Sequence, residues 1–333
     1  MPITQHDIAE RLGIGQKTVS RVFTNPEQVS DRLRSQVISI ARDLGYRPNS
    51  GARAMRTGRF SSVVLVGSTV TDISPLPERL LVGLDEVFAM ADVSLALARL
   101  PDDQLVNDFV PKVARELLSD GLLINYDTNI PQRLIDLIAE QKLPAVWINS
   151  RQANFSVRPD DLRAGDDLTR CLIEHGHKRI LYTDFLVDHH PYVHYSRKDR
   201  LTGYRTAMAR AGLTQHEAVP DHPVEAASYA AAMIERHQPT ALVSYSDVEM
   251  TAFFVSALRC GLDVPRDLSL ATFSHNVAYF GMPIATWMVP QQEVGRAAAR
   301  MLLSAMREPA AIIAPQVVPY TVDLGRSIAR PTA

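Results

Sequence analysis

The sequence predicts an α/β protein that carries a small all-helical head. Two features carry that prediction. In the first 47 residues the apolar positions recur at helical spacing and are broken by turn residues. From Ser61 onward, short apolar runs alternate with amphipathic helices. Such alternation means parallel sheets with crossover helices, and about 265 residues suit two such lobes.

The head reads as three short helices. Residues 5–12 place Ile8, Ala9 and Leu12 on one face, and Gly13 allows a tight turn. Residues 16–24 turn Val19, Val22 and Phe23 inward before Asn25-Pro26 stops them. Ser30 is placed to cap a third helix, 31–44, with Leu33, Val37, Ile40, Ala41 and Leu44 inward and Gly45 as terminator. Two helices joined by a glycine turn, closed by a third, describe a helix-turn-helix unit, although a generic three-helix bundle fits the same pattern. The outward residues of the second helix are Gln16, Lys17, Thr18, Ser20 and Arg21. Gln and Arg suit bidentate contacts to base edges; Lys and Ser suit phosphate.

Charge is distributed to match. The whole chain is −2, yet residues 1–60 hold ten basic and five acidic residues, +5, leaving −7 for the rest. A basic head on an acidic body suggests an anionic polymer as partner of the head alone.

In the body, 62–67, 93–97, 121–125, 145–148, 179–183, 241–244 and 268–273 read as strands. Residues 79–90, 109–118, 131–140, 162–175, 199–211, 225–237 and 248–260 read as helices. Apolar residues make up 46% and charged residues 22%, a globular profile. No apolar run approaches the roughly 18 residues that span a bilayer, and the start lacks an export signal, so a cytoplasmic protein is expected, with no membrane partner. Cys171 and Cys260 read as unpaired thiols.

The residues themselves narrow the reading. Asp7-Ile8-Ala9, Leu12-Gly13-Ile14, Thr18-Val19-Ser20-Arg21-Val22, Asn25-Pro26, Val29-Ser30, Leu44-Gly45-Tyr46, Pro48-Asn49 and Ala52-Arg53 resemble the LacI/GalR repressor family without gaps. In the body, His175-Gly176-His177-Lys178-Arg179-Ile180, Arg200 with Gly203-Tyr204, Ser246-Asp247, Gly261–Ser269 and Glu293-Val294-Gly295 extend the resemblance to about residues 3–325.

That resemblance implies a fold similar to periplasmic sugar-binding proteins: two lobes, three crossovers near 157–160, 287–290 and 318–321, and a cleft between. It implies a helix-turn-helix domain over 1–47 and a hinge helix with linker over 48–60. The effector-binding and dimerisation domain would be 61–326, with one lobe about 61–157 and 290–319 and the other about 160–287 and 320–326. It implies that Gln16, Lys17, Thr18, Ser20 and Arg21 meet the major groove, and that Asn49, Arg53 and Met55 lie in the hinge segment, Met55 standing where the family usually has a wedging leucine. Gly15 stands where a capping serine is usual. The implied partners are a pseudo-palindromic double-stranded operator, a small-molecule effector and a second copy of the chain. A subunit contact through Leu80, Leu81 and Leu84 is expected, with no cofactor.

Carried over position by position, the effector contacts are Asn125, Asn149, Asp160 or Asp161, Arg200, Asp247, Ser274 and His275. Ser274-His275 departs from the family's usual aspartate. The exchange removes an acceptor and introduces a potential cation beside Arg200. This favours an anionic effector, a sugar acid such as gluconate, and a gluconate-repressor-like subgroup. His189, His190 and His194 offer metal-ligand spacing without a supporting cysteine or helix, and a lid with Tyr192 and Tyr195 fits that loop better. No nucleophile elbow, P-loop or dinucleotide fingerprint is present, so no enzyme is expected. The contrasting reading is a solute-binding protein with no DNA role.

Overall fold

The computed structural model describes residues 3–47, 59–70, 74–101, 119–128, 130–185, 194–276 and 281–332. Residues 1–60 and 61–333 form two compact units.

The head consists of α1 (Gln5–Leu12), α2 (Gln16–Thr24) and α3 (Asp31–Asp43), with a 3-10 turn at Pro26–Gln28. At the start of α1, Thr4 donates from its backbone N and its hydroxyl to Asp7, which holds that carboxyl below its usual range. Gly13 takes φ 64° and lets Ile14 N bond back to Ala9 O at 3.0 Å, the turn that joins α1 to α2. Ser30 occupies the cap position of α3, but its side chain makes no cap bond, and the turn is closed by backbone alone. Ile8, Ala9, Val19, Val22, Val37 and Ala41 form the core, with Phe23 against Tyr46 at 5.3 Å.

The body holds two six-stranded sheets. The first contains β1 (Ser62–Ser68), β2 (Ser94–Leu100), β3 (Gly121–Asn125), β4 (Ala145–Ile148), β5 (Ser156–Pro159) and β11 (Gln316–Val318). Its order is β11-β5-β4-β3-β1-β2, parallel throughout. The second contains β6 (Ile180–Thr183), β7 (His216–Ala218), β8 (Ala241–Ser244), β9 (Ser269–Ser274), β10 (Ala285–Met288) and β12 (Thr321–Asp323). It runs β12-β10-β9-β8-β6-β7, with only β12 antiparallel. The chain passes between sheets after β5, after β10 and after β11.

Helices α4 (Glu78–Met90), α5 (Gln132–Gln141) and α10 (Gln291–Arg307) cover the first sheet. Helices α6 (Asp161–Glu174), α7 (Tyr195–Arg210), α8 (Ala226–His237) and α9 (Asp247–Arg259) cover the second. The inner strands β1, β3, β4, β6, β8 and β9 are buried almost throughout, which explains why they read as unbroken apolar runs. The helix expected at 109–118 lies outside the described residues, as do Asn49, Arg53 and Met55.

Leu80 and Leu84, expected at a subunit contact, are instead buried in the first lobe's own core against Val294 and Leu302. The large apolar side chains α4 leaves exposed are Val82 and Met90. Helix α7 begins at Tyr195, a full turn before the expected 199, which moves His194 from a loop to a helix cap. Among the described residues no cluster of three or more potential metal ligands forms, and no helix is long and apolar enough to cross a membrane.

Candidate DNA-reading face and effector cleft

In the head, Val19 and Val22 bind α2 to the core, so the opposite face is left to solvent. Gln16, Lys17 and Arg21 are exposed there, and Thr18 and Ser20 are half-buried at its edges. Gln16, Lys17, Ser20 and Arg21, with Thr24, Asn25 and Gln28, line one shallow groove. The five residues singled out from sequence therefore share one side of one helix, with cationic groups at Lys17 and Arg21. Gly15 caps α2 through its carbonyl alone, which accepts from Thr18 N at 2.8 Å.

In the body, a cavity of about 220 Å³ opens where the two sheets present the carboxyl ends of their strands. Both lobes supply its walls. Asn125 ends β3 and Asp127 follows it, Asn149 and Asp161 follow β4 and β5, Asp247 follows β8, and Ser274 and His275 lie at the end of β9.

Arg200 sits at its centre, 7% exposed. Its Nε donates to Asp161 Oδ1 at 2.8 Å, and its terminal nitrogens donate to Tyr245 O at 2.8 Å and Tyr320 Oη at 2.9 Å. The guanidinium also lies 4.7 Å from the Tyr245 ring centre and 4.8 Å from that of Phe273. Three of its five N–H donors are thus engaged, leaving two for a ligand. Its charge is matched by Asp161, so Arg200 enters the cleft as half of an ion pair rather than as a bare cation.

Asp160 is a correction. Its carboxylate caps α6 by accepting from Arg163 N at 3.2 Å, and the cleft is lined by Asp161 instead. Successive residues at a helix start diverge by about 100°, so only one of the pair can face the cleft.

His275 is a second correction. Burial, then the neighbouring Arg200, push its pKa down, so it stands in the cleft as a neutral imidazole and not as a cation. The acceptor missing from this turn is supplied by Asp247, whose Oδ2 accepts from Ser274 Oγ at 3.0 Å.

Asn149 is in the left-handed region at φ 54°, and its Oδ1 accepts from Tyr195 Oη of the other lobe at 2.8 Å. Asn125 donates to Pro75 O at 2.8 Å.

Among the cleft residues outside the expected effector contacts are His194, which the sequence offered only as part of a metal-spaced or lid loop, and Asp127. His194 caps α7 by accepting at Nδ1 from Ser196 N, which puts its proton on Nε2; that atom is buried without a partner, as is Asp161 Oδ2. Burial lowers its pKa to about 4. Asp127 lies two residues past β3. Its carboxyl is pushed up to about 7 by desolvation, with Asp161 adding to the rise and a hydrogen bond from Asn149 opposing it.

A helix-turn-helix unit ahead of a two-lobed α/β body with a polar cleft is the plan of a ligand-responsive transcriptional regulator. Comparison with known proteins agrees. Residues 4–49 match the bacterial regulatory proteins of the lacI family, and residues 169–328 match the periplasmic binding protein-like domain. The HTH-type transcriptional repressor CytR of Escherichia coli (strain K12) is 28% identical over 325 residues, covering 91% of this chain and 90% of its own. The HTH-type transcriptional regulator GntR of the same strain is 26% identical over 345 residues, covering 97% and 96%. The fold is similar to that of the lac repressor dimer bound to operator and the anti-inducer ONPF, with TM-score 0.77, 20% identity and coverage of 99% of this chain and 100% of that one. The chain thus carries a lacI-family helix-turn-helix domain and a periplasmic binding protein-like effector domain, and the relatives it matches over most of its length are DNA-binding transcriptional regulators, not enzymes. A solute-binding protein without a DNA role is thereby set aside.

Proposed function

We propose that the chain represses transcription from a pseudo-palindromic operator as a cytoplasmic homodimer, and that a small polyhydroxylated effector in the cleft controls it. The observation that carries the DNA-reading half is the outward run Gln16, Lys17 and Arg21 on α2, opposite a face fixed by Val19 and Val22. Thr18 and Ser20 serve as phosphate or edge contacts beside it. Asn49, Arg53 and Met55 act in the minor groove, by resemblance alone. Replacing Arg21 by Ala should weaken operator binding by about 1–3 kcal/mol and relax specificity at one base pair, read by gel shift against specific and non-specific fragments. Equal losses on both fragments would refute a base-reading role.

For the dimer, the support is an exposed apolar stripe on α9. Val248, Val255 and Leu258 recur there at helical spacing and are 63%, 37% and 53% exposed. Val255→Asp should shift the sedimenting species towards monomer.

For the effector, charge decides the order of preference. Arg200 is matched by Asp161, His194 and His275 are held neutral, and Asp247 and Asp127 are further carboxyl groups in the same wall. The sugar-acid reading needs a surplus of positive charge that these groups do not supply. An uncharged polyol is therefore placed first, with Asn125, Asn149, Asp161, Arg200, Asp247, Ser274 and His275 as its contacts; a sugar acid such as gluconate is the second reading, supported by the likeness to GntR over nearly the whole chain. Thermal-shift measurements with D-glucose, D-ribose, cellobiose and D-gluconate separate the two, because a bound ligand raises the melting temperature by mass action. Stabilisation by D-gluconate alone would reverse the order.

A further inference from the structure

Asp127 and Asn149 belong to the first lobe, and Tyr195 opens α7 of the second. Tyr195 Oη donates to Asn149 Oδ1 at 2.8 Å. With Oδ1 engaged as acceptor, the amide nitrogen of Asn149 is the group left to donate towards Asp127, its neighbour in the cleft wall, and that interaction opposes the rise of the Asp127 pKa. The main chain at Asn149 is fixed, its N donating to Val157 O at 2.7 Å, and its side chain is held by the Tyr195 hydroxyl. Tyr195 is held from both lobes. The Arg151 guanidinium of the first lobe lies 5.1 Å from its ring centre, and the same guanidinium pairs with Asp199, one turn further along α7.

We propose that Asp127 is a specificity-determining residue of the cleft, reading a hydrogen-bond donor on the effector, and that the chain Tyr195–Asn149–Asp127 couples this reading and its proton to closure of the lobes. The inference rests on the effector reading above and adds to it a residue, a proton and a path. A ligand hydroxyl donates to ionised Asp127 and so favours loss of its proton. A ligand carboxylate oxygen can be tolerated there only when Asp127 keeps its proton. The two effector classes therefore leave opposite pH signatures.

The other groups facing Asp127 do not blur that signature. Asp161 is paired with Arg200, both on helices of the second lobe. His194 and His275 are pushed down by burial, and the Tyr195 phenol is pushed up. Asp247 accepts from Ser274. Asp127, with its carboxyl at about 7, is the group poised to change state near neutrality.

The test uses the full-length protein, Asp127→Asn and Tyr195→Phe. In the absence of ligand, melting temperature is followed from pH 4 to 8. A carboxyl whose folded pKa is raised costs nothing below its unfolded value and destabilises progressively as pH rises through the folded value. The parent should therefore lose stability relative to Asp127→Asn between about pH 4 and pH 7. Tyr195→Phe should move the upper end of that loss to higher pH, because Asn149 loses the anchor that aims it at Asp127; a purely structural tyrosine would lower stability evenly at all pH values. Parallel profiles for the parent and Asp127→Asn, or an upper end unmoved in Tyr195→Phe, would overturn the proposal. In the ligand arm, D-glucose, D-ribose, cellobiose and D-gluconate are titrated at pH 6 and pH 8. A neutral probe should bind the parent about 10-fold more tightly at pH 8, the change in ionised fraction of a group with pKa near 7, and bind Asp127→Asn without that dependence. D-gluconate, if it binds, should show the reverse. A probe bound with no pH dependence removes Asp127 as its reader. Failure of every probe would count against the effector class proposed above, while the ligand-free profiles still decide the hydrogen-bond chain.

Discussion

The two lobes solve one packing problem in the same way and use the solution differently. Each is a six-stranded sheet in the same relative order, and each is covered by a helix pair that crosses at glycines. In the first lobe a Cβ on Gly83 would sit 2.0 Å from Gln292 O, and one on Gly295 2.4 Å from Leu80 O. In the second, a Cβ on Gly165 would meet Arg200 O at 2.3 Å, and one on Gly203 would meet Leu162 O at 2.3 Å. Both crossings are flanked by an ion pair. Glu86–Arg296, at 2.6 Å, lies on the surface of the first lobe. Asp161–Arg200, at 2.8 Å, is buried in the wall of the cleft. Close helix approach is thus a general device of this fold, and it becomes a functional one only where it drives a charged pair out of water and into a ligand site.

The largest effect that would break the comparison is charge removal. Arg200→Met strands the Asp161 carboxylate in a buried position, at a cost of about 3–5 kcal/mol. Arg296→Met leaves Glu86 facing solvent and should hardly move the urea midpoint. Equal losses in the two variants would mean that the pairs are energetically alike and that burial of Asp161–Arg200 has been misjudged.

Acid should separate the lobes next. Every histidine of the body lies between residues 175 and 275 in sequence, and the described ones belong to the second lobe. His177, His194 and His275 have pKa values lowered chiefly by burial. A histidine with a depressed folded pKa is neutral in the native state, so its contribution to stability is present above about 6.5 and fades as pH falls towards the folded value. For His194 that window runs from 6.5 to about 4, and the loss is roughly 3 kcal/mol. Hydrogen exchange at decreasing pH should therefore accelerate in residues 161–288 before it does in 62–159. Simultaneous loosening would show that the histidines do not set acid sensitivity.

Much of this contrast was legible in the sequence, and the failures have physical causes. Long amphipathic helices and strands buried on both faces announce themselves, as at 62–67 and 121–125. The strands 156–159, 216–218, 285–288, 316–318 and 321–323 are as short as 145–148 and 241–244, but polar residues interrupt them, so they show neither a period nor the unbroken apolar run that marks those two. The start of α7 was hidden because its buried face carries Ser196, Asp199 and Arg200, polar groups that face the cleft and erase the apolar stripe. Leu80 and Leu84 show that an apolar helix face does not declare whether its own lobe or a partner covers it. Asp160 and Asp161 differ only in helical phase. Asp127 had a usable signal that was passed over: it stands two residues after Asn125, beyond the carboxyl end of the same strand.

The smallest effects test the layer between each sheet and its glycine-crossed helix pair. In the first lobe the core of that layer is built of aliphatic side chains, from Leu65 and Leu84 to Leu123 and Leu302. In the second it contains Tyr182 and Tyr204, both fully buried, with ring centres 5.4 Å apart. Their hydroxyls differ. Tyr204 Oη accepts from His216 N at 2.9 Å and lies within donating distance of Ile180 O and His216 O, which ties helix α7 to β6 and β7. Tyr182 Oη is buried without a partner. Tyr204→Phe removes the partner of the half-buried His216 N–H and should cost about 1–2 kcal/mol by urea unfolding. Tyr182→Phe removes an unsatisfied hydroxyl while keeping the ring, so it should be neutral or slightly stabilising. If Tyr182→Phe instead costs as much as Tyr204→Phe, its hydroxyl has found a partner in solution, and the second lobe's layer is a connected polar network rather than an apolar layer with one polar tie.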